Sequence, residues 1–286
     1  MLVIAGGIFI FILKLIAYFI SNSIALLSDA MESIINIVAS IMMISALTIA
    51  ARSKDKNHEY GHQKAENISA LVEGILIMVA AVLIVEATIG RLFNPVGFND
   101  INLGLVVSLC ATSLNGILAI IMLRESKKSR SMALEGDAKH LFSDVMSSVG
   151  VVIGLFIASI TGILIIDPLI ALVVAALLIR MGVSVILKTS KDLMDSTVVD
   201  AEKSIVAVLE RTQGYLEYHD LKTRRSGNKV FMEVHLCLDG NVSVKEAHEL
   251  TDKIGMELNL VVPGIEPNIH IEDQTQCQKE KAQSNK

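Results

Sequence analysis

The sequence has few cysteines and no excess of positive charge, and each shortage excludes a class of protein. Cys110, Cys237 and Cys277 are its three cysteines, and they show no paired spacing. A disulfide framework is therefore not expected, and a reducing compartment fits. The formal net charge of −5 gives no reason to predict a nucleic-acid partner. The first apolar run has no basic start, so we expect no cleaved signal peptide.

Long apolar blocks are what the sequence has instead. Mean hydropathy is +0.56, and 52% of the residues are hydrophobic. Six blocks reach the roughly 20 residues that a helix needs to cross a bilayer. We therefore predict a six-helix transmembrane domain over residues 1–195, a soluble domain over 196–273 and a disordered polar tail over 274–286. The six blocks lie near 2–20, 24–51, 66–92, 101–123, 133–160 and 165–187.

Basic residues predict which helix ends face the cytosol. Lysine and arginine follow the second, fourth and sixth blocks, whereas the connections 21–23, 93–100 and 161–164 have neither. Since cytoplasmic loops carry the excess of positive residues, we expect both termini and the soluble domain in the cytosol. The basic residues are Arg52, Lys54, Lys56, Lys64, Arg124, Lys127, Lys128, Arg130, Lys188 and Lys191.

The last third of the chain has the pattern of an α+β domain. A short amphipathic helix is predicted over 201–212, and apolar residues alternate over 229–239, which indicates a strand with one buried face. A second helix and a last strand follow. The order helix–strand–strand–helix–strand predicts helices packed on one antiparallel sheet, a ferredoxin-like αββαβ arrangement.

Polar residues inside the apolar blocks indicate a functional site, because ionisable groups are costly in a membrane. Glu32 and Asn36 are four residues apart and share a helix face, and so do His140 and Asp144. Each pair lies about 10–20 Å into its helix at about 1.5 Å per residue. One imidazole with oxygen ligands suits zinc, iron(II) or manganese(II). Hydrogen bonds that merely hold the helices together are the alternative.

A second group of histidines lies in the loop before the third block. His58-Glu59-x-x-His62 matches the zinc-protease motif, in which two histidines on a helix bind zinc. Gly61 weakens a helix there, and no third ligand follows closely. We therefore favour a looser metal site formed by Asp55, His58 and His62, with a solvated loop as the alternative.

The soluble domain has further candidate ligands outside its apolar faces. His235 is on the strand face opposite the apolar one, and His248 is off the apolar stripe of its helix. His270 and Glu272 project to the same side of the last strand, because side chains alternate along a strand. These residues fit a zinc site at the edge of the domain, although surface histidines are common without one.

Five motifs are spread along the chain in a fixed order. They are the run from Ser23 to Ala30, the run from Asn57 to Glu66, His140-x-x-x-Asp144, Asp167-Pro168, and Leu193-Met194-Asp195. In these motifs and their order, nearly the whole chain resembles the cation diffusion facilitator family of proton-coupled exporters of zinc, iron, manganese and related ions.

The resemblance implies that Glu32, Asn36, His140 and Asp144 form the transport site. Glu32 and Asn36 depart from the family pattern, in which His or Asp is followed four residues later by Asp. An amide binds a cation more weakly than a carboxylate does, and it cannot carry a proton. Metal identity, affinity and proton stoichiometry therefore stay open.

The resemblance also assigns roles outside the membrane. It implies a second metal site at Asp55, His58 and His62. In relatives, the positions of the cytosolic ligands belong to a binuclear site that helps to join two subunits, and a charged pair interlocks the membrane domains. Here the ligand positions are His235, His248, His270 and Glu272, and the charged pair is Lys64 with Asp195.

The resulting hypothesis is a homodimeric metal:proton antiporter in a lipid bilayer, and not an enzyme. A divalent metal ion, zinc by first expectation, would be both its substrate and a regulatory ligand. The compact loops indicate a bacterial inner membrane. Three alternatives stay open: a metal sensor or scaffold that does not transport, a membrane zinc protease, and a sodium:proton antiporter, against which His140 argues.

Overall fold

The computed structural model describes residues 2–94, 96–129 and 132–284. The chain forms two compact units, one from 1–45 with 69–187 and the other from 46–68 with 188–286. Six helices within the described ranges are long and apolar enough to cross a membrane, which confirms the predicted helices. They are α1 (Leu2–Ser21), α2 (Ile24–Ala50), α3 (Lys64–Phe93), α4 (Ile101–Ser129), α5 (Met132–Thr161) and α6 (Ile166–Leu193).

Small residues line the contacts between these helices, and large apolar residues face outward. Ala17, Ala81 and Ala171 are completely buried, whereas Phe9 and Val173 are more than half exposed. Small side chains let helix backbones approach closely within a membrane, where burial from water cannot hold helices together. The exposed apolar surface is what a lipid environment requires.

The start of α2 is fixed by an acidic residue on α6. The Asp167 carboxylate accepts hydrogen bonds from Ser23 Oγ at 2.6 Å and from the backbone nitrogens of Ile24 and Ala25, both at 2.9 Å. These nitrogens belong to the first turn of a helix and have no partner within the helix. A carboxylate there also interacts favourably with the helix dipole. The contact sets the position of α2, which carries Glu32 and Asn36.

The second unit has the predicted order of elements, with one correction to its sheet. Strand order is β1-β2-β3; β1 and β2 are antiparallel, but β2 and β3 are parallel. The prediction of an antiparallel sheet was wrong for this pair because α8 connects β2 to β3, and a helical crossover returns the chain in the same direction. The elements are α7 (Val199–Arg211), β1 (Glu217–Ser226), β2 (Lys229–Leu238), α8 (Val244–Val261), β3 (Ile265–Asp273) and α9 (Gln274–Ser284).

The core of this unit lies between the sheet and the helices. Met232, Val234 and Leu236 of β2 are completely buried with Ile205 of α7 and Ile254 of α8. This confirms the predicted alternation. The opposite face of the sheet therefore remains available for polar side chains.

The end of the chain differs from the sequence prediction. Helix α9 replaces the disordered tail, and Asp273 caps its first turn by accepting hydrogen bonds from the backbone nitrogens of Thr275 and Gln276 at 2.7 and 2.9 Å. Cys277 of α9 forms a disulfide with Cys237 of β2. The spacing argument missed this bond because the pairing of β2 with β3 closes a separation of 40 residues.

Candidate metal sites

Helices α2 and α5 bring the four predicted transport residues together. Asn36 Nδ2 donates a hydrogen bond to Asp144 Oδ2 at 2.7 Å, and His140 Nε2 lies 3.4 Å from Asn36 Oδ1. The carboxyl groups of Glu32 and Asp144 are close enough to interact electrostatically. The interhelical contacts that were the alternative prediction are thus present, and the same groups are a ligand set for a cation.

A small cavity with a mostly apolar lining borders this cluster. Its volume is about 50 Å³, and Ser33, Asn36, Ser40, Asn115 and Asp144 contribute its polar side chains. One water needs roughly 10–15 Å³ measured in this way, so an ion with a few waters fits. The sequence analysis did not predict Asn115 of α4, because no other candidate ligand lies four residues from it on the same helix face.

A buried ion pair connects α1 to α2 near this cluster. Lys14 Nζ is 2.8 Å from Asp29 Oδ1, and both side chains are 2% exposed. Ser148 of α5 donates to the same carboxylate oxygen at 2.6 Å. Asp29 lies within the run from Ser23 to Ala30, but its ion pair was not predicted, although a lysine within the first apolar block was a signal for one. Asp137, which resembles Asp29 in its sequence context, has its side chain outside the described residues.

The loop histidines meet around one carboxylate. Asp55 Oδ1 lies 3.1 Å from His58 Nδ1, and Asp55 Oδ2 lies 3.3 Å from His62 Nε2. Hydrogen bonds lower the pKa of Asp55 below its usual range, and the bond from the backbone nitrogen of Asn57 has the largest effect. Among the described residues, buried His62 Nδ1 has no hydrogen-bond partner. Residues 51–63 are not helical, so the two histidines lack the helix geometry that the protease motif requires.

Histidines from all three strands form a row on the sheet face opposite the core. His219 pairs with His235, and His235 pairs with His270, in the register of the sheet. Glu272 Oε1 lies 2.8 Å from His235 Nδ1 and 3.5 Å from His270 Nε2. His248 of α8 is elsewhere: its side chain is 74% exposed. Three of the four predicted ligands therefore come together.

The sequence analysis missed His219, which completes this row. His219 Nε2 lies 3.3 Å from Glu272 Oε2. No spacing within the sequence links His219 to the other ligands, since only the pairing of β1 with β2 brings it beside His235. Predicting a hairpin between 217 and 238 would have indicated it.

The predicted charged pair is formed within one chain. Lys64 Nζ lies 3.2 Å from Asp195 Oδ1, and both side chains are partly exposed. Arg224 Nη1 lies 3.7 Å from the same oxygen. Exposed ion pairs of this kind contribute little to the stability of the fold. A role for this pair would therefore be in holding one conformation of the protein rather than in stabilising it.

Comparisons with known proteins match both parts of the chain. The cation efflux transmembrane domain matches residues 1–194, and the cytoplasmic domain of cation efflux proteins matches 199–274. An uncharacterized transporter of Synechocystis sp. is 36% identical over 262 residues, 91% of this chain and 84% of its own length. The cation-efflux pump FieF of Shewanella oneidensis is 31% identical over 259 residues, 90% of this chain and 87% of its own.

Among solved structures, the metal-bound C-terminal domain of the CzcD transporter from Thermotoga maritima is 42% identical, with a TM-score of 0.25. It covers 26% of this chain and 88% of that one. The two domain matches together span nearly the whole chain. The chain therefore belongs to the cation efflux family of multi-pass membrane transporters, which is the cation diffusion facilitator family.

Proposed function

We propose that the protein exports a divalent metal cation from the cytosol in exchange for protons. Zinc is the first candidate substrate, followed by iron(II) and manganese(II). The observation that carries this proposal is the cluster of Glu32, Asn36, His140 and Asp144 beside a small cavity that Asn36 and Asp144 help to line. An imidazole, two carboxyl groups and an amide oxygen suit these ions better than they suit sodium.

Proton exchange follows from the chemistry of the ligands. Carboxylate and imidazole bind a metal only when they are deprotonated, so metal entry displaces protons and protonation favours release. His140 is the candidate coupling group, because imidazole changes its charge near neutral pH. Asn36 carries no proton. Its amide holds Asp144 in place at 2.7 Å, and the negative charge of the site comes from Glu32 and Asp144.

Transport requires the site to face the two sides of the membrane in turn. We infer that metal binds from the cytosol, that the helices then rock, and that protons from the other side replace the metal. The basic residues after α2 and α6 support a cytosolic position for both termini. The match of 199–274 to a cytoplasmic domain supports the same orientation. A bacterial inner membrane remains our proposal for the location.

The clusters outside the membrane are proposed as regulatory metal sites. In one cluster, His235 and His270 lie around the carboxylate of Glu272. In the other, His58 and His62 lie around the carboxylate of Asp55. Metal bound there would change transport only if it binds the two conformations with different affinity.

A homodimer is part of this proposal. His248 is exposed and lies away from the other three predicted ligands of its own chain. Its imidazole would therefore bind metal at the site of a second subunit. The domain that matches 199–274 is the one that joins subunits in the relatives the sequence resembles. We also propose that Lys64 and Asp195, paired at 3.2 Å, form the interlock between the membrane domains of the dimer.

The test is metal flux in proteoliposomes with a proton gradient, across zinc, iron(II), manganese(II), cobalt(II) and sodium. We expect flux of at least one divalent ion, and its loss in Asp144→Ala. Glu59→Ala is the matched control: it removes the glutamate that a zinc protease would need, and it should leave flux unchanged. Flux of sodium alone would favour the sodium antiporter.

A metal sensor or scaffold is the second candidate, and Asn36 is the observation that favours it, since an amide weakens the transport site. Folded wild-type protein that binds zinc but moves none of the five ions would establish that candidate and exclude transport.

A further inference from the structure

Two cysteines lie beside the histidine row and complete a second group of ligands. Cys237 of β2 and Cys277 of α9 are completely buried. One ligand atom from each of Cys237, Cys277, His219 and Glu272 lies within 4.8 Å of all the others. The four residues come from four separate elements, and the sheet and α9 hold them together.

Glu272 separates this group from the cluster of His235 and His270. Its Oε1 faces those two histidines, at 2.8 and 3.5 Å. Its Oε2 faces the other way, 3.3 Å from His219 Nε2 and 3.4 Å from Cys277 Sγ. Each carboxylate oxygen therefore belongs to a different ligand group, and only the group on Oε2 contains sulfur.

The ligand chemistry of the sulfur group is specific. Two thiolates, one imidazole and one carboxylate are a four-ligand set for zinc, and soft sulfur disfavours magnesium, calcium and manganese. Bonds of about 2.0–2.3 Å in a tetrahedron separate the ligand atoms by about 3.3–3.8 Å. The four ligand atoms lie within 4.8 Å of one another, so their separations are within about 1–1.5 Å of these values.

The oxidation state of the cysteines decides whether the group can bind. In the structure the two sulfurs form a disulfide, and their Cα atoms are 6.1 Å apart. Residues 199–274 match a cytoplasmic domain, and thiols in the cytosol are kept reduced, where the disulfides that do form are usually transient or redox-sensing. Both states are therefore relevant to this pair.

We propose that Cys237 and Cys277, when reduced, bind a zinc-like divalent ion together with His219 and Glu272, and that the disulfide is the metal-free form. Hydrogen peroxide is the class of oxidant. Two thiolates give up two electrons and form the Sγ–Sγ bond, while one peroxide takes up these electrons and two protons to become two waters. The metal ion loses two of its four ligands and is released. This redox-controlled site goes beyond the proposed transport function and does not depend on it.

The experiment uses the full chain in detergent with the substitution Cys110→Ser, so that Cys237 and Cys277 are its only thiols. Cobalt(II), a spectroscopic substitute for zinc, is titrated into reduced protein. We expect a near-ultraviolet band from charge transfer between thiolate and cobalt, and its final intensity should correspond to one thiolate-bound cobalt per chain. Peroxide should abolish the band, and a thiol-free phosphine reductant should restore it.

Variants separate the sulfur group from its neighbours. Cys277→Ser should abolish most of the band and weaken cobalt binding at this site by about tenfold or more. His219→Gln keeps both thiols and should shift the visible cobalt spectrum while part of the charge-transfer band remains. His270→Ala, which changes only the cluster on Oε1, is the matched control and should leave the band intact.

Two results would overturn the proposal. Cobalt binding to reduced, folded protein without a thiolate band would assign the metal to the histidine clusters alone. A band that survives peroxide treatment unchanged would show that oxidation does not release the metal. Zinc flux, measured after the same protein has been reconstituted into proteoliposomes, distinguishes these failures from a failure of the transport function, because loss of the band with normal flux concerns the cysteine site alone.

Discussion

The Asn36 amide nitrogen donates a hydrogen bond of 2.7 Å to Asp144 Oδ2, across the contact between α2 and α5. A neutral amide thus occupies a position where the sequence motif of the family leads one to expect a carboxylate. The bond orients Asp144 but adds no negative charge. The proposed transport site should therefore bind its ion less tightly, and exchange fewer protons, than a site with both carboxylates.

Asn36→Asp should tighten metal binding. A carboxylate would replace the amide as a ligand, and we expect KM for zinc to fall by about tenfold, which corresponds to about 1.4 kcal/mol. Initial rates of zinc flux in proteoliposomes measure this. Asn36→Ala removes the hydrogen bond without adding charge and should raise KM. If neither variant changes KM, Asn36 is not part of the site.

Removing the buried cation at Lys14 should destabilise the protein strongly. Lys14→Met leaves Asp29 without its partner at 2.8 Å, in surroundings where both side chains are 2% exposed. Breaking one side of a buried ion pair costs about 3–5 kcal/mol. Thermal unfolding in detergent is the measurement.

The double variant Lys14→Met with Asp29→Asn is the control for this loss. Because it leaves no uncompensated charge, it should recover a large part of the stability. A double variant as unstable as Lys14→Met alone would show that the unpaired charge of Asp29 is not the cause of the loss.

Helical and strand periodicity explain how much of the protein could be predicted from its sequence. The four-residue spacing of Glu32 with Asn36 and of His140 with Asp144 placed each pair on one helix face, and the helices do bring them together. Alternation in β2 predicted its buried face in the same way. These patterns are local, so they can be read without knowledge of the tertiary structure.

Contacts between distant elements were the ones that could not be predicted. His219 reaches Glu272 only through the sheet, and Cys237 reaches Cys277 across 40 residues. The parallel pairing of β2 with β3 depends on the path of α8, which no strand pattern contains. Lys14 was visible as a charge in an apolar block, but its partner was not, since many acidic residues were available.

The stability of α8 should depend on pH through Glu246. Hydrogen bonds from the side chain and backbone of Ser243 lower the pKa of Glu246. A carboxyl group whose pKa is lower in the folded state stabilises the fold above its unfolded pKa, and this contribution is lost as the pH falls through the folded pKa. The loss therefore begins below about pH 4.3, the ordinary value for glutamate.

The substitution Glu246→Gln tests this dependence. At neutral pH the variant should melt at a lower temperature than the wild type, and the two should converge in acid, where Glu246 is protonated. Glu249→Gln, on the same helix, serves as the comparison and should show no such convergence. A difference between wild type and Glu246→Gln that is constant with pH would contradict the capping role of the carboxylate.

Simultaneous measurement of zinc and proton movement tests the central claim most directly. Proteoliposomes would contain a zinc-sensitive dye or a pH-sensitive dye, and zinc would be added outside. We predict that zinc entry is accompanied by proton exit, and that both disappear in Asp144→Asn, a variant that keeps the shape of the side chain but not its charge. Zinc entry without proton movement, or equal zinc entry in Asp144→Asn, would contradict a metal:proton antiporter with its site at Asp144.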